Sequence, residues 1–321
     1  MTYAVGNTIQ ATDFNGLVGT NPNTSSGTLN TVWSTGGTTA GYGQTAVPTV
    51  TAGNSVLAVD WANLINKTAN ANLHQGTNIT GVTAPSAGNS IQYNANIPTN
   101  LTSIYTGRLN AASQGSTTAN TATTVSTWSG IATFTHTVTF ANGDAARYFF
   151  NSGGQLKVTC AHSNSTAGIN LLLNGLASNV GTLVTSAPSS GSISIGTSPA
   201  VTYSGFQKVG GGGNTPSPYL TNTGYFALTT ANATVFQQTA STGPSGYLGT
   251  FISLTAKSNG TQGSNGDTGS VITLYTIWDE IPNGLTVGTG STVTVTAQAP
   301  ETTYLANTWG TITIAGSVVV A

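Results

Sequence analysis

The run IATFTHTVTF, Ile131 to Phe140, alternates strictly. Phe134, His136, Val138 and Phe140 fall on one face of an extended chain, and Thr133, Thr135, Thr137 and Thr139 fall on the other. Successive side chains of a strand point to opposite faces, so this pattern predicts a strand with one face buried and one wet. More β-prone runs follow: ARYFFN, QLKVTCAH, YFALT, TVFQQTA, YLGTFISLTAKS, SVITLYTIWDE, STVTVTAQ and TITIAGSVVVA, separated at short intervals by Gly, Asn and Ser. Such spacing predicts an antiparallel sandwich or a jelly-roll-like module over residues 128–321. INLLLNGL and GSISIG also read as strands, and no long helix is expected after about residue 125, INLLLNGLASNV being the first candidate for an exception. VGGGGNTPSPYL, Val209 to Leu220, reads as a long exposed loop.

The first hundred residues follow another rule. GNTIQATDFNGLV, from Gly6, and GNSVLAVDWANLI, from Gly53, are the same phrase at a constant offset of 47 residues. Asp13 matches Asp60, Phe14 matches Trp61, Leu17 matches Leu64 and Val18 matches Ile65. A fainter copy starts at Gly88, 35 residues further on, with Pro98 taking the place of the acid. The uneven offsets exclude a solenoid, which needs a fixed period. Each copy predicts a turn, a short extended piece, an acidic residue at a helix start and an aromatic-led helix. In the second copy Trp61, Leu64, Ile65, Thr68, Ala69 and Leu73 form one helical stripe. Asp60 is placed to accept from free main-chain N–H groups and to complement the helix dipole, and Gly76 to end the helix. Pro98 suits a first helical turn, where its missing N–H costs nothing, and Leu101, Ile104 and Leu109 share a side. The expected fold is therefore α+β and mostly β: a small helical module over residues 1–110, a linker or extended edge over 111–127, and the β-sandwich module.

Composition limits the function. Only 4% of the 321 residues are charged, six basic and seven acidic, against roughly 25% in an ordinary soluble domain. The surface must be built from Thr, Ser, Asn, Gly and Gln, and such a surface lacks the repulsion that keeps proteins apart. Multi-copy assembly is its natural setting. A phosphate-tracking surface needs clustered Lys and Arg, so nucleic acid is not an expected partner. The opening MTYAVGNTIQ lacks the basic and apolar segments of a secretory leader, and no apolar run approaches the roughly 18 residues of a membrane span. Neither export by the usual signal nor membrane insertion is expected. Cys160 is alone and reads as a small apolar group on a strand.

Chemistry-bearing residues are scarce. Among the seven acids only Asp279 and Glu280 are adjacent, and neighbours on a strand point apart, which suits a polar strand end before Pro282 better than joint acid–base work. His74, His136 and His162 lack metal-ligand spacing; His136 reads as a hydrogen-bonded core imidazole and His74 as a residue of the last helical turn. Asp267, in GSNGDTGS, could hold a weak Ca²⁺, although a glycine-rich turn explains it more cheaply. No G-x-S-x-G elbow or phosphate-cradling loop occurs. No catalytic residue, metal or cofactor is expected.

FFNSGGQLKV from Phe149, the DW…LIN…HQGT phrase from Asp60 and ITLYTIWDE from Ile272 together resemble structural proteins of tailed bacteriophages. The likeness is to the tail, neck or baseplate fibre-like proteins of phages of cyanobacteria and other aquatic bacteria. It implies a non-enzymatic virion protein with an N-terminal anchoring module and a β-rich distal module, assembled in the bacterial cytoplasm and then extracellular. The partners it implies are further copies, as a trimer or higher ring, other virion proteins, and host surface polysaccharide as a further contact. Phe14, Leu17, Trp61, Leu64, Ile65 and Leu73 are the assembly-interface candidates, with packing inside one module as the alternative. Two other readings are a stand-alone carbohydrate-binding module using Tyr219 or Tyr225, and a depolymerising tailspike, which needs a carboxylate pair in a groove.

Overall fold

The computed structural model describes residues 9–37, 39–89, 91, 93–166, 168–188, 192–196, 201–212, 218–240, 247–281 and 284–321. The turn of the first phrase at residues 6–8, Pro282, and the centre of the glycine-rich loop at residues 213–217 lie outside these.

Two antiparallel sheets face each other across one core. The first has the order β1-β12-β3-β4-β7, formed by β1 (Gln114–Thr123), β12 (Ser291–Pro300), β3 (Gln155–His162), β4 (Thr182–Thr185) and β7 (Phe206–Val209). The second has the order β13-β2-β11-β10-β9-β8. Its strands are β13 (Thr313–Val320), β2 (Ile131–Thr139), β11 (Val271–Asp279), β10 (Phe251–Ser258), β9 (Ala233–Thr239) and β8 (Tyr219–Leu220). A small hairpin of β5 (Ile193–Ile195) and β6 (Val201–Tyr203) stands apart. The alternation in β2 is realised: Phe134, His136 and Val138 are fully buried, and they meet Leu254, Trp278, Leu156, Val158, Val293 and Val295 in the common core. The fold is α+β and mostly β, as the patterns require.

Two segments depart from expectation. ARYFFN is not a strand but most of α5 (Gly143–Asn151), a helix started by Asn142, whose side chain accepts from Ala145 N at 2.8 Å. Its cap and Asp144 in the first turn outweigh the β propensity of three consecutive aromatics. The helix buries Phe149 and Phe150 against Phe140 and Tyr225. Likewise YFALT forms a 3₁₀ turn, Tyr225–Ala227, in place of a strand. Residues 111–127 are no free linker, since β1 pairs along β12 as an edge strand. Both faces of β1 are largely exposed, which removes the apolar alternation that marks a strand. INLLLNGLASNV is helical, as α6 (Ile169–Val180).

The N-terminal module has its own core, packed by α1 (Ala11–Val18), α2 (Leu29–Trp33), α3 (Ala58–His74) and α4 (Asn96–Thr106). Long loops join these helices, and with almost no charge available three asparagines clip them. Asn15 exchanges two hydrogen bonds with the main chain of Val50, both 2.8 Å. Asn30 does the same with Val47 at 2.9 and 3.0 Å and also donates to Gly19 O. Asn100 holds Thr80 at 3.0 and 3.1 Å. A side-chain amide carries both a donor and an acceptor, so each clip imitates one rung of a sheet.

This core is completed from the far end of the chain. Leu305 lies inside it. Gln44 exchanges hydrogen bonds with the main chain of Ala306, both 2.9 Å, and Thr308 Oγ1 donates to Tyr42 O at 2.6 Å. From α5 the fully buried Arg147 donates to Ala40 O and Thr35 O while holding Asp144, and Asn151 donates to Gly41 O.

Candidate assembly surface

The repeated phrase builds the same local structure twice. Helices α1 and α3 begin at matching residues, Ala11 and Ala58, and in each the acid of the third helical position reaches back. Asp13 Oδ2 accepts from Gln10 N at 3.1 Å and Asp60 Oδ2 from Leu57 N at 2.9 Å. Each carboxylate satisfies a donor that the helix start leaves orphaned and sits at the positive end of the helix dipole.

The interface candidates are placed inward. Phe14, Leu17, Trp61, Leu64 and Ile65 are buried within the chain's own N-terminal core, and Leu73 is partly covered. Phe14 packs on Trp61, with ring centroids 5.9 Å apart. Of the two roles open to these side chains, packing inside one module is the one the structure realises, because α2, the loop around Tyr42 and Leu305 supply apolar surface enough to cover them.

The described extended residues of the three copies come together at the surface. Ile9, Val56 and Ile91, the same position in the three copies, line one open recess of about 730 Å³ with Gln10, Asn54 and Asn89. Among the described residues no charged side chain lines it. Beside it, Leu57 and Val59 are 56% and 58% exposed. Neither belongs to the buried stripe of α3 that marks the interface candidates; being apolar and out of phase with Trp61, Leu64 and Ile65 is the signal that sets them apart.

Several titratable groups are tied into structural hydrogen bonds. Buried His74 Nδ1 meets Glu301 Oε1 at 2.9 Å across the two cores, and Glu301 Oε2 accepts from Thr303 N and Tyr304 N. Burial alone would raise the Glu301 pKa, but these bonds outweigh it and hold the carboxyl below its usual range. His162 lies between Ser291 Oγ, 3.0 Å from Nδ1, and Asn170 Oδ1, 3.1 Å from Nε2. The order hydroxyl–imidazole–amide is that of a nucleophile, base and orienting group, yet Ser291 is fully buried and no substrate carbonyl can reach it. Burial lowers the His162 pKa, with the Asn170 bond opposing. His136 is a core imidazole as expected, although neither ring nitrogen makes a hydrogen bond of ordinary geometry among the described residues and the Asn120 main chain is its nearby polar group. Burial lowers its pKa, opposed by the nearby Asn120 main chain.

Glu280 is also fully buried and accepts through Oε2 from the N–H groups of Gly130, Gly284 and Leu285, while Asp279 stays partly exposed. Asp267 closes its own loop, accepting from Ser264 N at 2.6 Å and Thr261 Oγ1 at 3.1 Å. Among the described residues no three His, Cys, Asp or Glu side chains gather where a metal could sit. Cys160, on β3, packs against the core, and burial pushes its thiol up to about 12. Of the two tyrosines named for sugar stacking, Tyr225 is fully buried, stacked on Phe150 at 4.1 Å, whereas Tyr219 is 55% exposed. No helix among the described residues is long and apolar enough to cross a membrane.

No known protein family, curated protein or solved structure matches the chain.

Proposed function

We propose that this chain is a non-enzymatic structural subunit of a tailed-bacteriophage particle, a fibre or fibre-attachment component of the tail, neck or baseplate. In this reading it is assembled in the host cytoplasm and carried on the extracellular virion. The observation that carries the proposal is the convergence of three copies of one phrase on a single uncharged recess, with Leu57 and Val59 exposed beside it. An uncharged recess in which Ile9, Val56 and Ile91 alternate with the amides of Gln10, Asn54 and Asn89 suits another protein surface, met by shape and neutral hydrogen bonds with no charge pairing. Further copies of the chain, in a trimer or higher ring, and neighbouring virion proteins are the partners that fit it. The sequence resemblance and the near absence of charge support the same reading. The bonds joining the helical module to the β module would unite the anchor and the distal module in a single stiff body.

The test is the mass of the protein in solution, measured by light scattering at tens of micromolar, for the wild type and for Leu57→Asp/Val59→Asp. The wild type is expected to be multi-copy and the variant to lose copies while keeping its melting temperature. A wild type that stays a single copy would overturn the proposal.

A second reading, contact with host polysaccharide, has one specific support in the exposed ring of Tyr219. Loss of binding to a surface glycan in Tyr219→Ala, with assembly intact, would favour it.

A further inference from the structure

An asparagine followed by a glycine occurs six times, at Asn15, Asn142, Asn174, Asn259, Asn265 and Asn283. Such a pair carries a built-in reaction. The main-chain nitrogen of the glycine can attack the side-chain Cγ of the asparagine and close a five-membered ring, because no Cβ obstructs the approach and one short tether holds both groups. In a folded chain two conditions decide where it runs: the amide must be free to turn, and the glycine N–H must be free of an acceptor.

Five of the six pairs fail at least one condition. Gly16 and Gly175 lie inside α1 and α6, where the helical ladder takes the main-chain N–H. Their asparagines are tied down as well, Asn15 to Val50 and Asn174 to His162 O. Asn142 caps α5, and Gly143 is buried with Asp267 O filling the space a Cβ would need. Asn259 Oδ1 accepts from Ser270 N and Val271 N, both at 2.9 Å, and Gly260 N donates to Ser258 Oγ. Asn283 lies outside the described residues, but the N–H of Gly284 is held by buried Glu280 at 3.0 Å.

Asn265 meets both conditions. It and Gly266 are exposed at the tip of a turn that Asp267 N closes on Ser264 O at 3.2 Å. Among the described residues neither the Asn265 amide nor the Gly266 N–H has a hydrogen-bond partner. Gly266 has a φ of +82° and nothing within 4 Å of where its Cβ would stand.

We propose that Asn265 and Gly266 form a site of spontaneous covalent modification, at which the folded chain turns a neutral amide into a carboxylate. Gly266 N gives up its proton and bonds to Asn265 Cγ. The bond from Cγ to Nδ2 breaks, and Nδ2 takes up a proton and leaves as ammonia. Water then opens the cyclic imide at either carbonyl, leaving aspartate or isoaspartate at position 265. No oxidant or reductant is needed, and water is the only co-reactant. Each converted copy adds one negative charge to a chain whose formal net charge is −1, and sets it beside Asp267.

Incubating the folded protein in mildly alkaline buffer tests it, with anion exchange to separate the acidic species and peptic digestion with mass spectrometry to locate the change. Asn265 should convert roughly tenfold faster than any of the other five asparagines, since each of those must first break a hydrogen bond or open its element. In guanidinium chloride the six should convert at similar rates. Asn265→Gln should remove the early acidic species and keep the wild-type melting temperature, because the side chain it replaces is exposed and unbonded. A folded wild type that yields no acidic species, or in which another of the six pairs converts as fast as Asn265, overturns the proposal. So does the same order of rates in the unfolded chain, which would make local sequence and not the fold the selector.

Discussion

Phe14 and Trp61 occupy the same place in two copies of one phrase and close on each other, ring centroids 5.9 Å apart and inclined by 37°. The duplication thus supplies both halves of a contact inside one chain. Replacing Trp61 by Ala removes a fully buried indole and should cost about 4 kcal/mol. In a double-mutant cycle with Phe14→Ala, measured by urea unfolding, the pair should show a coupling of about 1 kcal/mol.

Glu301→Ala leaves the buried His74 without its acceptor and should lower stability by about 3 kcal/mol at neutral pH. The Glu301 carboxyl is held below its ordinary 4.5. Its contribution is therefore complete above that value and is lost as the pH falls through the lower folded pKa. Urea unfolding between pH 2 and 6 should show a shallower acid slope in the variant than in the wild type.

His136 acts in the opposite chemical sense over a higher range. The unfolded chain takes up a proton near the ordinary 6.5, while the folded imidazole, its pKa lowered by burial, does not. Stability should therefore decline as the pH falls below about 6.5, down to the folded pKa. His136→Leu removes a buried imidazole that lacks a hydrogen bond of ordinary geometry, at little cost in volume, so it should unfold no more easily at pH 7 and should flatten this stretch of the profile.

The asparagine clips give a sharp test because one amide meets both a donor and an acceptor. Asn30→Ala should cost about 3 kcal/mol, since Gly19 O, Val47 O and Val47 N all lose their partner. Asn30→Asp can accept but not donate and buries a charge, so its loss should be larger at pH 7 than at pH 4. Thermal unfolding at the two pH values checks both variants.

What can be read from the sequence follows from how local each signal is. The alternation in β2 reports its own burial, and the phrase around Asp13 and Asp60 announces its own helix start. α5 reads as a strand because three adjacent aromatics favour one, while the deciding cap is a single asparagine. β1 hides because an edge exposed on both faces shows no period. The partner of His74 cannot be found by spacing, since Glu301 lies 227 positions away. The same distance hides why Phe14 and Trp61 turn inward: some of their cover, Leu305, comes from the other end of the chain. The outward face left behind, with Leu57 and Val59, is legible only after the inward one is known.

Leu305 and Glu301 also bear on how the protein is made. A ribosome delivers the helices of the amino-terminal core first, but the residues that seal that core emerge only after twelve of the thirteen described strands. During translation the early module must wait with a hole in its side, and its apolar lining stays open to capture by other nascent chains or by chaperones.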